Sequence, residues 1–280
     1  MTNIFKKSTF TVSVVLENSK GSGFFFCYKG NMYVVTARHV LFREKEGSFN
    51  LYANAACIKA PDTKGKDADP AIFENLLNDN NTYYNKTYDV GLIHLGSYRL
   101  KNNKTLLQAS YREETIQTQL PTNMAQFYGE YSAVSLNDVH VGTDIFIAGY
   151  PTSLGITQYM DFFDHDRPVV RKGIVSHVNY KKQHIIIDCF VFPGNSGGPV
   201  IQATNDEDLK HTLIGLVSRY IPYRQIHVIP VENITNINYV NSGYALIVSM
   251  DHILESMIDF SKRLPDPYDG KKPDDWDSLF

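Results

Sequence analysis

The stretch Phe192-Pro193-Gly194-Asn195-Ser196-Gly197-Gly198-Pro199-Val200 sets one hydroxyl among three glycines, inside an otherwise apolar run. Glycine packs nothing and loses the most backbone freedom on folding, so three in one turn need a reason. A nucleophilic serine supplies one: its turn must take unusual angles and aim N–H groups at the charge developing on a carbonyl oxygen. A plain Gly-rich surface turn has the same composition, so the reading depends on finding a base and an orienting acid elsewhere. His39 closes the apolar run Tyr33-Val34-Val35-Thr36-Ala37 and is placed to be held by a strand end while one ring edge faces a cleft. Asp89 stands directly before the apolar run Val90-Gly91-Leu92-Ile93. A carboxylate entering a core needs strong donors, and an imidazole N–H is one. Asp62, Asp67 and Asp69 lie in polar surroundings and read as solvated.

The elements that must position these groups are strands. Short runs rich in Val, Ile, Phe, Tyr and Thr, broken by Gly, Asn, Asp and Pro, predict strands at Thr9–Leu16, Gly23–Tyr28, Asn31–Ala37, Phe49–Ala55, Val90–Leu95 and Asp144–Ala148. Further strands are predicted at Gly173–His177, Gln183–Ile187, Pro199–Ile201, Leu213–Ser218 and Tyr244–Val248. So many short strands with little helix between them indicate an all-β sandwich or barrels. One helix is predicted over Asp251–Arg263, with Ile253, Leu254, Met257 and Ile258 on one face and Pro265 ending it. The polar stretch Tyr98–Asn123 reads as a connector between two β-rich halves.

Composition removes several classes. The 280 residues carry a net charge of −3 and no long basic run, so no nucleic-acid partner is expected. The N-terminal segment alternates apolar residues with Thr and Ser, and no run reaches membrane-span length, so neither secretion nor a membrane is expected. Cys27, Cys57 and Cys189 are odd in number and far apart, which disfavours disulfides and zinc and suits the cytoplasm. Asp164-His165-Asp166 has no metal-site spacing and reads as a solvated loop; no metal or other cofactor is expected.

Taken together, the three segments resemble the trypsin-like (chymotrypsin-fold) serine proteases over about residues 8–260. Ala37-Arg38-His39, Asp89-Val90-Gly91-Leu92-Ile93 and Gly194-Asn195-Ser196-Gly197-Gly198-Pro199 look like that family's base, acid and nucleophile segments in its chain order. Gly21-Ser22-Gly23-Phe24, Gly149-Tyr150-Pro151 with Gly155, and Gly173-Ile174-Val175-Ser176 are similar to the HtrA-type branch. The resemblance implies two six-stranded antiparallel β-barrels followed by a helix: residues 1–115 carrying His39 and Asp89, 116–250 carrying Ser196, and 251–280 as helix and acidic tail. It implies a His39–Asp89–Ser196 triad, an oxyanion hole at Gly194, Asn195 and Ser196, and Ser218 supporting the acid. It also implies substrate contacts at Phe190, Val191, Ser218, Arg219, Tyr220 and Gly243. Without an acid at Phe190, a small or medium apolar P1 residue is expected. Asn195 stands where digestive proteases carry an Asp that pairs with a freed N-terminus, so that activation switch should be missing. The residues after Leu264 are too few for the peptide-binding PDZ domain that HtrA proteins usually carry.

The expected activity is therefore hydrolysis of polypeptides through an acyl-enzyme. Two alternatives stand beside it. One is a silent or partner-gated protease fold that binds peptides, which leaves room for an activating protein partner. The other is an α/β-hydrolase, since Gly194-x-Ser196-x-Gly198 also fits its elbow, with Asp206 or Asp251 and His227 or His252 downstream. That elbow needs a helix after the serine, and Gly197-Gly198-Pro199 is a poor helix start.

Overall fold

The computed structural model describes residues 10–61, 71–101, 104–111, 114–116, 127–152, 164–203, 212–229 and 234–264. The first half contains β1 (Thr11–Leu16), β2 (Ser19–Tyr28), β3 (Asn31–Thr36), the one-turn helix α1 (Arg38–Leu41), β4 (Phe42–Lys45), β5 (Ser48–Leu51) and β6 (Ala55–Ala60). It continues through β7 (Ala71–Leu76), β8 (Thr82–Tyr84), β9 (Gly91–Lys101), β10 (Lys104–Tyr111), β11 (Glu114–Ile116) and β12 (Tyr128–Gly129). The second half comprises β13 (Asp144–Gly149), β14 (Val169–Asn179), β15 (His184–Asp188), β16 (Pro199–Gln202), β17 (Leu213–Ile229) and β18 (Ile234–Ser249), then helix α2 (Met250–Ser261).

The second half closes as a six-stranded barrel in the order β13-β14-β15-β18-β17-β16. The first half is a curled sheet in the order β11-β10-β9-β3-β2-β1-β6-β7, with β8 added to β9 and β12 to β2. This is the chymotrypsin-like arrangement, one closed barrel and one curled half-barrel with a C-terminal helix. β2 and β3 are buried on both faces, which explains their nearly unbroken apolar runs.

Four local expectations are corrected. Phe49–Ala55 is not one strand: β5 ends at Leu51, and β6 begins at Ala55 to pair with β1. The connector stretch is strand over much of its length, because β9 runs on to Lys101 and pairs back with β10 from Lys104. β17 and β18 extend well past their apolar cores as a paired ribbon reaching Ile229 and Ile234. In α2 the buried face is Met250, His252, Ile253, Ser256, Met257 and Phe260, while Ile258 is exposed. Polar residues defeat an apolar-run criterion in the ribbon; in α2, His252 and Ser256 are buried because they have specific partners. The stretches 62–69 and 265–280 and the residues Gly155 and Asp206 lie outside the described residues.

Although last among the described elements, α2 packs on the first half. Ile253, Met257 and Phe260 belong to the same apolar cluster as Tyr33, Val35, Leu41 and Leu92. The barrel has its own cluster around Ile145, Val175, Ile187, Val200 and Ile247.

Candidate active site

His39 does not sit on the end of β3. Ala37 keeps an extended backbone, and His39 follows in the single turn of α1, with its ring half exposed. Asp89 meets that turn twice. Its Oδ1 accepts from the His39 backbone N–H at 3.1 Å, and its Oδ2 lies 2.8 Å from His39 Nδ1. Against an ionised carboxylate Nδ1 must carry the proton, which leaves the Nε2 lone pair free on the open side. Ser218 Oγ donates to Asp89 Oδ2 at 2.6 Å. Burial pushes the Asp89 carboxyl upward, but the hydrogen bonds from His39 and Ser218 outweigh it and hold the group down at about 2.

The segment before Asp89 is fixed by a residue that sequence reasoning missed. Asn85 Oδ1 accepts the N–H groups of Thr87 and Tyr88 at 2.9 and 3.0 Å, and Asn85 Nδ2 donates to Ser256 Oγ on α2 at 3.0 Å. Tyr88 stacks on the ring of His252, also on α2. Arg38 Nη1 donates to the carbonyls of Asn85, Lys86 and Tyr88, and its guanidinium lies over the Phe49 ring. The residue next to His39 thus holds the loop that carries Asp89. Neighbouring polar residues in a loop carry no sequence signal for this, although an Asn three residues before Tyr88 is a known turn former.

Ser196 lies on the opposite side of the cleft, on the turn leading into β16. Its Oγ donates to the Ser218 carbonyl at 3.1 Å. The turn is shaped by Gly194 (φ 93°) and Gly197 (φ 86°), both in the left-handed region. A Cβ at Gly194 would collide with the Tyr150 carbonyl, and one at Gly197 with the Ser22 carbonyl. Pro193 O accepts from Thr152 N at 2.7 Å, so the trans peptide turns the Gly194 N–H the other way, away from Thr152. Among the described residues, neither the Gly194 nor the Ser196 N–H has an acceptor. Asn195 is buried; its N–H donates to Phe192 O and its Oδ1 accepts from Phe192 N, both at 3.0 Å.

Ser22 joins the two halves. Its N–H donates to Ser196 O at 2.8 Å, its Oγ donates to Gly194 O at 2.6 Å, and the same Oγ accepts from Tyr150 N at 2.8 Å. The Gly21-Ser22-Gly23 motif pointed to this place but not to this task.

The remaining sequence-predicted residues surround the cleft. Ser218, Arg219 and Tyr220 are consecutive on β17, whose partner β16 ends its pairing at Leu216. Phe190 is exposed and stacks on Phe192, while Val191 is buried and its carbonyl accepts from Asn241 Nδ2. Gly243 has φ 88° and faces the Phe190 ring. The hydrolase alternatives are not brought to Ser196: His252 is buried in α2 against Tyr88 and Glu255, and His227 is on the ribbon. Asp164 pairs with Arg167 and Asp166 with Lys59.

The serine endoprotease from Yersinia pestis has a similar structure, with a TM-score of 0.50 and 17% identity, over 91% of this chain. The chain spans 64% of that protein's length. An inactive form of Rv3671c from M. tuberculosis matches with a TM-score of 0.49 and 12% identity, over 94% of this chain and 91% of the other. The HtrA-type protease AlgW with a tripeptide matches at 0.46 and 15% identity, over 90% and 60%. A search among curated protein sequences finds no match. Residues 21–207, more than half of the chain and holding all three cleft groups, match the model of the trypsin-like peptidase domain. The chain thus belongs to the trypsin-like peptidase family.

Proposed function

We propose that the protein hydrolyses peptide bonds with Ser196 as nucleophile, His39 as base and Asp89 as the orienting acid. The observation that carries this reading is the Asp89 carboxylate, which bonds His39 Nδ1 and Ser218 Oγ in the cleft that Ser196 faces. A substrate backbone adds as an antiparallel strand along Ser218–Tyr220. Its P1 N–H then competes for the Ser218 carbonyl that Ser196 Oγ now occupies. The displaced hydroxyl turns to His39 Nε2, which takes its proton as Oγ attacks the carbonyl carbon. The oxyanion is met by the N–H groups of Gly194 and Ser196, each worth about 3 kcal/mol in the transition state. Collapse expels the amine with the proton from His39. Water, activated by the same ring, then hydrolyses the acyl-enzyme and frees Ser196.

Phe190, in place of an acid at that position, supports a small or medium apolar P1 side chain, and the Asp188 carboxylate beside Gly243 is the group that would shift this preference. The thiols of Cys27, Cys57 and Cys189 are all free, which supports a reducing compartment such as the cytoplasm. No described helix is long and apolar enough to cross a membrane. An activating protein partner is compatible with this site, and nothing in the mechanism requires one.

A fluorophosphonate probe tests the assignment. We expect labelling of the wild type, and none of Ser196→Ala or His39→Ala. Labelling that survives Ser196→Ala, or is lost in His252→Ala but not His39→Ala, overturns it.

A further inference from the structure

Arg219 is exposed on β17, between the two residues whose backbones face the cleft, and its Nε lies 3.5 Å from Ser218 Oγ. That hydroxyl is the one bonded to Asp89, so the guanidinium sits beside the Ser218–Asp89 contact. Asp89 is buried and already takes His39 and Ser218 as donors. Among the described residues, no carboxylate is within ion-pair distance of Arg219. A fork of donors is thus left open at the cleft.

Strand geometry says which substrate residue meets it. In an antiparallel pair, residues directly opposite each other put their side chains on the same face. With Ser218 opposite P1 and Tyr220 opposite P3, Arg219 is opposite P2. With the Ser218 carbonyl bonded to P1 and Tyr220 to P3, as in the substrate pairing proposed above, Arg219 and P2 form the non-hydrogen-bonded pair, where side chains come closest. A guanidinium in that place takes a carboxylate with two parallel N–H···O bonds.

We propose that Arg219 makes the P2 subsite cationic, so that the enzyme selects extended polypeptides with an acidic residue immediately before P1. The inference rests on the peptidase reading above and specifies its substrate class. It assigns Arg219 a selective role, distinct from the backbone pairing that any substrate would share.

The test is a set of peptides identical except for Asp, Ala or Lys at P2. The wild type is expected to show kcat/KM for Asp roughly 10-fold or more above Ala, with Lys lowest, the size expected of a hydrogen-bonded charge pair. Arg219→Gln is expected to bring the Asp-to-Ala ratio close to one, and Arg219→Glu to place Lys above Asp. Titrating the Asp and Ala peptides into Ser196→Ala, with and without Arg219→Gln, gives a readout independent of turnover. There Arg219→Gln should weaken the Asp peptide alone, by a similar factor. Equal kcat/KM for Asp and Ala in the wild type, or a preference that survives Arg219→Gln, overturns the inference and leaves the peptidase reading standing. A wild type that cleaves none of the peptides and takes no fluorophosphonate overturns both.

Discussion

At the scale of single residues, the Asp89 carboxylate carries the most consequence. It is buried, yet held near 2 because three donors face it: the His39 ring, the His39 backbone and the Ser218 hydroxyl. A carboxyl depressed in the folded state contributes stability above its unfolded value of 3.8, and that contribution is lost as pH falls through the folded value. Acid titration of the wild type, followed by circular dichroism or calorimetry, should therefore show loss of stability between about pH 4 and pH 2 on the order of 2 kcal/mol. Asp89→Asn should flatten that segment; an unchanged profile would refute the assignment. Ser218→Ala removes one of the three donors. We expect kcat to fall about 10-fold with KM little changed, and the acid-labile step to move to higher pH. Stopped-assay kinetics with a peptide ester across pH, together with the same titration, check both effects.

The elements explain how those residues are held. Helix α2 reaches the acid loop through Ser256, which accepts from Asn85 and donates to the His252 carbonyl, and through His252 stacked on Tyr88. Ser256→Ala leaves Asn85 Nδ2 unsatisfied in a buried site, a cost of about 1–3 kcal/mol. If the helix only adds stability, the midpoint of thermal unfolding drops and turnover per folded molecule holds. If it positions Asp89, kcat per titrated active site also falls, and Ser256→Thr, which keeps the hydroxyl, restores it. We expect the second outcome, read by active-site titration beside calorimetry. The helix itself was legible from Ile253, Met257 and the closing Pro265, and the His39, Asp89 and Ser196 segments from the apolar runs beside them. The brace was not legible, because His252 and Ser256 are polar and a periodicity argument assigns them to solvent. The Arg38 contacts to the Asn85–Tyr88 loop carry no sequence signal either, because Arg38 lies in a helical turn and its partners are some 50 residues away. The long ribbon of β17 and β18 went unseen because its exposed strands mix Asn, Gln and His with Tyr and Ile.

For the molecule as a whole, the site lies where a curled sheet meets a closed barrel, and the chain crosses between them to complete it. Asp89 and His39 belong to the first half, Ser196 and Ser218 to the second, and Ser22 ties the first half to the Gly194–Ser196 turn. That turn is closed on itself by Asn195, whose amide and side chain both bond Phe192. It needs no freed N-terminal amine, so the intact chain should label with fluorophosphonate as fast as one trimmed by limited proteolysis; a chain silent until trimmed would contradict this. The two-half plan was legible in the order of His39, Asp89 and Ser196. The stitching was not, because Ser22 is a small polar residue whose partners are remote in the chain. One consequence concerns synthesis. The Asp89 loop folds from the first hundred residues, yet its brace follows every other described element. Until α2 has left the ribosome, the Asp89 loop has the Arg38 contacts but not the helix behind it to steady it. The geometry of the Asp89 loop would then be complete only once that helix has docked.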